Sequence, residues 1–72
     1  MIIDIRDIGE YRNRPTKAEN IPLRVLKKDW EFLRNVEDIV IICNSGTQSR
    51  KMVHYLEQRG IYSKADLIKK YI

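Results

Sequence analysis

Residues 39–43, Ile39-Val-Ile-Ile-Cys43, form an unbroken run of β-formers, and residues 44–50, Asn44-Ser-Gly-Thr-Gln-Ser-Arg50, are small or polar. A half-exposed strand alternates apolar with polar side chains. A run without alternation is covered on both faces, as in a buried strand of a parallel sheet. Lys51 to Arg59 reads as the helix that follows. Cys43, the only cysteine, therefore stands where a strand hands over to a helix N-terminus. Unpaired backbone N–H groups and the positive end of the helix dipole converge at such a place and favour an anion.

A thiolate is such an anion. Surroundings of this kind lower a cysteine pKa from about 8.5 to roughly 3.5–7.5, leaving a useful fraction ionised at neutral pH. A free cysteine is also a common space-filler at strand ends. The loop weighs against that use, because Gly46 permits a tight turn around an anion and its neighbours are small and polar instead of core-forming.

Seventy-two residues predict one domain with a modest core. A hydrophobic content of 43% and a charged content of 33% describe a folded chain and exclude a disordered one. The formal net charge of +4 is spread among ten acidic residues, so the basic side chains read as a solvated surface and no nucleic-acid partner is expected. One cysteine forms no internal disulfide, and with a single histidine there is no metal-ligand spacing, so no metal is expected. Asp4 interrupts the apolar start Met1-Ile-Ile, which predicts neither a signal peptide nor a membrane span, and a reducing, cytoplasmic location.

Along the chain, Met1–Ile5 reads as a strand and Ile8–Asn13 as a weak helical turn closed by Pro15. Thr16–Asn20 reads as loop with a brief strand at Ala18–Asn20, and Ile21-Pro22-Leu23 as a turn. Leu26, Trp30 and Leu33 recur at helical spacing, with Asp29 placed to cap and Trp30 assigned to the core. Ile39–Ile42 is the central strand. The next helix puts Met52, Val53 and Leu56 on one face and stops at Gly60. Ile61–Ala65 reads as a last strand and Leu67–Ile72 as a terminal helical turn. Strands alternating with helices predict an α/β fold whose ligands bind at the carboxyl ends of the strands, where Cys43 lies.

Three segments, in matching order and spacing, resemble the single-domain rhodaneses. Ile2-Ile-Asp4-Ile-Arg6 with Glu10-Tyr11 is similar to that family's (I/V)DVRxxxE(Y/F); Ala18-Glu-Asn20-Ile-Pro22-Leu23 to its AxNIPL; and Ile41-Ile-Cys43-Asn-Ser-Gly46-Thr-Gln-Ser49 to its (V/I)xYCxxGxRS. The resemblance implies a small three-layer fold, a mostly parallel sheet flanked by helices. It also implies a sulfurtransferase in which Cys43 takes a sulfane sulfur from a donor such as thiosulfate and passes it to a thiol, cyanide or protein acceptor. No organic cofactor is implied. The anion cradle would be the loop Asn44, Ser45, Gly46, Thr47, Gln48, Ser49 and Arg50. Monomer and homodimer both stay open.

Two departures stand out. The family's basic residue five positions after the cysteine is Gln48 here, and its C-terminal glycine pair is missing before Ile72. Gln48 brings hydrogen bonds without charge. It also has the spacing of a capping box with Ser45, so donor contact and capping both remain open. Arg50 supplies the missing charge only if the first helical turn points it inward; Arg6 is a second candidate. Asp4 and Arg6 share a strand face and read as a structural pair.

Other thiol chemistries fit less well. A cysteine phosphatase needs an arginine six residues after the cysteine, where Ser49 stands, and a thioredoxin-like site needs a second cysteine at Gly46. His54 falls roughly two turns up the helix, too far to serve as a base, and reads as a surface residue. The alternatives that remain are a non-catalytic rhodanese-like binding module and a regulatory domain that senses reactive sulfur or oxidant through Cys43.

Overall fold

The computed structural model describes all residues, 1–72. Four strands, β1 (Ile2–Asp4), β2 (Glu19–Asn20), β3 (Ile39–Cys43) and β4 (Ser63–Leu67), form one sheet in the order β2-β1-β3-β4, every pair parallel. Helices α1 (Ile8–Asn13), α2 (Leu23–Leu26) and α3 (Thr47–Glu57) connect them, with 3₁₀ turns at Glu31–Asn35 and Ile68–Lys70.

The unbroken apolar run became the inner strand β3, which pairs with β1 on one side and β4 on the other. Its two faces are covered unequally. Ile39, Ile41 and Cys43 join Ile3, Ile5, Leu26, Leu33, Met52, Leu56 and Ile61 in the main core. Ile42 faces the other way into a small cluster with Ala18 and Ile68. Burying each large aliphatic side chain contributes about 1.5–3 kcal/mol, so most of the apolar stabilisation lies on the α3 side of the sheet.

Several boundaries differ from expectation. The last helix starts at Thr47 and not Lys51, because Gly46, at φ 83°, makes the turn that lets the helix begin directly behind the loop. At the other end of α3, Ile61 N–H donates to Leu56 O and Gly60 N–H to Glu57 O, a Schellman closure with Gly60 at φ 80°. Ile61 is thereby committed to the core beneath the turn, and the last strand runs from Ser63 to Leu67 in place of Ile61–Ala65. The terminal turn shortens to Ile68–Lys70.

The segment carrying Leu26, Trp30 and Leu33 is one helical turn followed by a 3₁₀ turn, not one helix, and Asp29 caps neither. Leu26 and Leu33 are fully buried. Trp30 packs on the rim of the core, half-buried, with the guanidinium groups of Arg34 and Arg59 5.0 and 5.7 Å from its ring centre. Stacked cations favour a ring that keeps one face near solvent. No helix is long and apolar enough to cross a membrane.

Candidate active site

Cys43 ends β3 with 5% of its surface exposed, at the floor of a cleft of about 350 Å³. Its sulfur accepts hydrogen bonds from the backbone N–H of Gly46 at 3.1 Å and of Ser49 at 3.3 Å. Gly46 is the residue before the helix and has no side chain to cap it. The Cys43 sulfur takes that place, accepting the orphan amide of the third helical residue, Ser49.

The Ser49 hydroxyl, fully buried, lies 3.3 Å from the sulfur and donates to Gly46 O at 3.0 Å. As a thiol, Cys43 donates to this hydroxyl; as a thiolate, it accepts once the hydroxyl rotates. Burial pushes the thiol pKa up. The Ser49 hydroxyl together with the amides of Ser49, Gly46 and Gln48 outweighs that, and the net shift is downward from the ordinary thiol value. Glycine at position 46 is demanded twice over. A side chain there would sit at positive φ, and its Cβ would come within 3.1 Å of Arg50 Nη1 and 3.2 Å of Leu67 Cδ2.

The loop residues divide between two faces. Asn44, Ser45 and Gln48 line the cleft beside Cys43, while Gly46 and Ser49 support the sulfur from behind. Thr47 is exposed and does not line the cleft. Arg50 lies across the loop, over Gly46, in a separate depression with Asp66 and Leu67, so it does not replace the missing cation. The Ser45–Gln48 capping box is not formed. Helix α3 starts one residue too late for it, Ser45 Oγ accepts only from Thr47 N–H at 3.4 Å, and Gln48 faces the cleft. His54 is exposed on α3.

Of the opposite wall the sequence offers only Arg6, as a candidate cation; the structure supplies the other residues of that wall. Ile5, Arg6, Asp7, Glu10 and Leu23 line it, and the Asn44 side-chain amide donates to Glu10 Oε2 at 3.1 Å. All but Glu10 and Leu23 follow directly on β1. The rule that ligands bind at the carboxyl ends of parallel strands, applied to β1 as well as β3, points to them.

Arg6 and Asp4 form a closed pair. Arg6 Nη2 donates to Asp4 Oδ2 at 2.8 Å and Arg6 Nε to Oδ1 at 3.0 Å, and the remaining guanidinium nitrogen bonds reach Arg14 O at 2.7 Å and Glu10 O at 3.3 Å. Thr16 Oγ1 donates to Asp4 Oδ2 at 2.9 Å. The bond to Asp4 raises the Arg6 pKa further above its already high value, against the opposing effect of burial. The Asn20 side-chain amide ties the end of β2 to Asp4 O and Arg6 O at 3.0 and 2.9 Å. The first two motifs thus hold the strand ends that frame the cleft.

The model of the rhodanese-like domain matches residues 1–69. The chain belongs to the rhodanese-like family. Neither the curated proteins nor the solved structures yielded a significant match. In this rhodanese-like domain the one cysteine is buried at the mouth of the parallel sheet, under the strand ends that the three motifs build.

Proposed function

We propose that this domain is a sulfurtransferase that carries a sulfane sulfur on Cys43. The observation that carries the reading is the Cys43 sulfur itself, held by two amides at a helix start and by the Ser49 hydroxyl, on the floor of an open cleft. With thiosulfate as donor, the Cys43 thiolate attacks the outer sulfur. The S–S bond of the donor breaks, sulfite leaves with the bonding pair, and the persulfide anion forms on Cys43. The amides that favour the thiolate lie beside the new terminal charge and stabilise it in the same way. An acceptor thiol or cyanide then takes the terminal sulfur and restores the thiolate. With no second cysteine in the chain, the acceptor comes from outside.

Intact-mass measurement of the wild type and of Cys43→Ser after incubation with concentrated thiosulfate tests this reading. The expected result is a gain of one sulfur atom on the wild type alone, removed by cyanide. If neither thiosulfate nor an organic persulfide loads Cys43 in the folded protein, the reading fails and the domain is a binding module. A modification that forms and resists both cyanide and thiols marks a sensor instead.

A further inference from the structure

The cleft over Cys43 is unusual for a dianionic donor in the charges that face it. Arg6 is its only lining cation, and that guanidinium is spent on Asp4, Glu10 O and Arg14 O, with its side chain 4% exposed. Gln48 brings no charge, and Arg50 lies across the loop. Two carboxylates line the same space. Glu10 is held to the loop by Asn44, the residue after the nucleophile, and Asp7 meets only Arg24, an exposed pair at 3.4 Å that solvent screens. An incoming dianion therefore meets Glu10, Asp7 and the negative sulfur of Cys43 with no free cation to offset them.

Resting on the sulfurtransferase reading, we infer that this site takes its sulfur from a small organic persulfide whose carrier is uncharged or cationic, and that Glu10 and Asp7 set this preference against anionic donors. The cleft volume of about 350 Å³ suits a small carrier. The transfer balances without an oxidant. The Cys43 thiolate attacks the terminal sulfur of R–S–SH, the S–S bond breaks, R–S⁻ leaves, and it collects the proton that the new, more acidic Cys43 persulfide releases. The sulfane sulfur keeps its oxidation state throughout.

Two persulfides that differ mainly in the charge at the far end test the inference: those of cysteamine, an ammonium, and of 3-mercaptopropionate, a carboxylate. Loading of Cys43 is followed by quenched intact-mass measurement at low ionic strength. The cysteamine compound is expected to load about tenfold faster, a ratio within the range of electrostatic steering. Raising the salt compresses the ratio, because these charges stand in an open cleft. Glu10→Gln keeps an acceptor for Asn44 and removes the charge, so it should speed the anionic donor and bring the ratio down. Gln48→Arg should speed loading by thiosulfate. A purely structural role for Glu10 would slow both donors alike and leave the ratio unchanged.

Equal rates in the wild type at low salt overturn the inference while leaving the sulfurtransferase reading in place. A ratio untouched by Glu10→Gln removes Glu10 as its source and likewise overturns it. Should Glu10→Gln fail to fold, the salt dependence of the wild type and the Gln48→Arg response still decide the matter. Loading by neither persulfide overturns the inference, and the sulfurtransferase reading falls with it only if thiosulfate also leaves Cys43 unmodified.

Discussion

Polar groups enter the interior at two places, around Asp4 and around Cys43. At the first, a carboxylate and a guanidinium meet directly, and Thr16, Glu10 and Arg14 take up the remaining bonds. At the second, a sulfur is held only by neutral donors, the Gly46 and Ser49 amides and a hydroxyl, and its remaining side faces the cleft. A saturated ion pair has nothing left to react with, whereas amide donors stabilise negative charge without pairing it off. One cluster braces the strand ends and the other leaves a sulfur open to the cleft.

Removing half of the ion pair should have the largest effect. Asp4→Ala strands the Arg6 guanidinium in a buried position, a loss of about 3–5 kcal/mol for a broken buried pair. A 72-residue domain has about 4–11 kcal/mol to lose in all. Urea unfolding should therefore show a much lower midpoint or a partly unfolded protein, and Cys43 loading should fall in proportion to the folded fraction. An unchanged midpoint would mean that the pair does not brace the strand ends.

The two left-handed glycines separate strain from chemistry. Valine at either position costs about 1–2 kcal/mol of backbone strain. At Gly60 a Cβ meets nothing within 4 Å, so Gly60→Val should lose stability and still load sulfur. At Gly46 the Cβ approaches Leu67 Cδ2 at 3.2 Å, and the amide under strain is the one that bonds the Cys43 sulfur. Gly46→Val should abolish loading in a protein that remains folded. Comparing the pair by denaturation and intact mass checks this, and a folded Gly46→Val that loads normally would show that the cradle is dispensable.

The local patterns of the sequence mapped onto the structure where one element decided them. Ile39–Cys43 was readable because burial on both faces leaves no polar alternation, and Ile8–Asn13 because Pro15 bounds it. Periodicity puts the helix start too late because Thr47–Arg50 is polar and gives no signal before Met52; the left-handed Gly46 is the better marker. Spacing points Trp30 toward the core but carries no information about the arginines that stack on it from residues 34 and 59. The loop half of the site lies in one continuous segment and could be read directly. Its other wall comes from α1, the segment after β1 and the start of α2, twenty or more residues away in sequence, and the parallel pairing of β1 with β3 brings it opposite Cys43.

The smallest change sharpens the second cluster from within. Ser49→Ala removes the hydroxyl while keeping the Ser49 amide on the sulfur, and Gly46 O still accepts from Arg50 N–H at 3.0 Å, so no buried acceptor is stranded. Stability at acid pH should change little. The hydroxyl is one of the groups holding the Cys43 pKa down, so its loss moves that pKa up toward the ordinary thiol value. A depressed folded pKa adds stability that is complete above the unfolded thiol value and is lost as pH falls through the folded one. The wild type should therefore exceed Ser49→Ala in stability at alkaline pH, with the difference fading on acidification. Alkylation of Cys43 followed against pH should show its acid limb displaced to higher pH in the variant, with rates converging once both are fully ionised. Coincident profiles would place the control of ionisation in the backbone amides alone and reduce the Ser49 hydroxyl to a filler behind the loop.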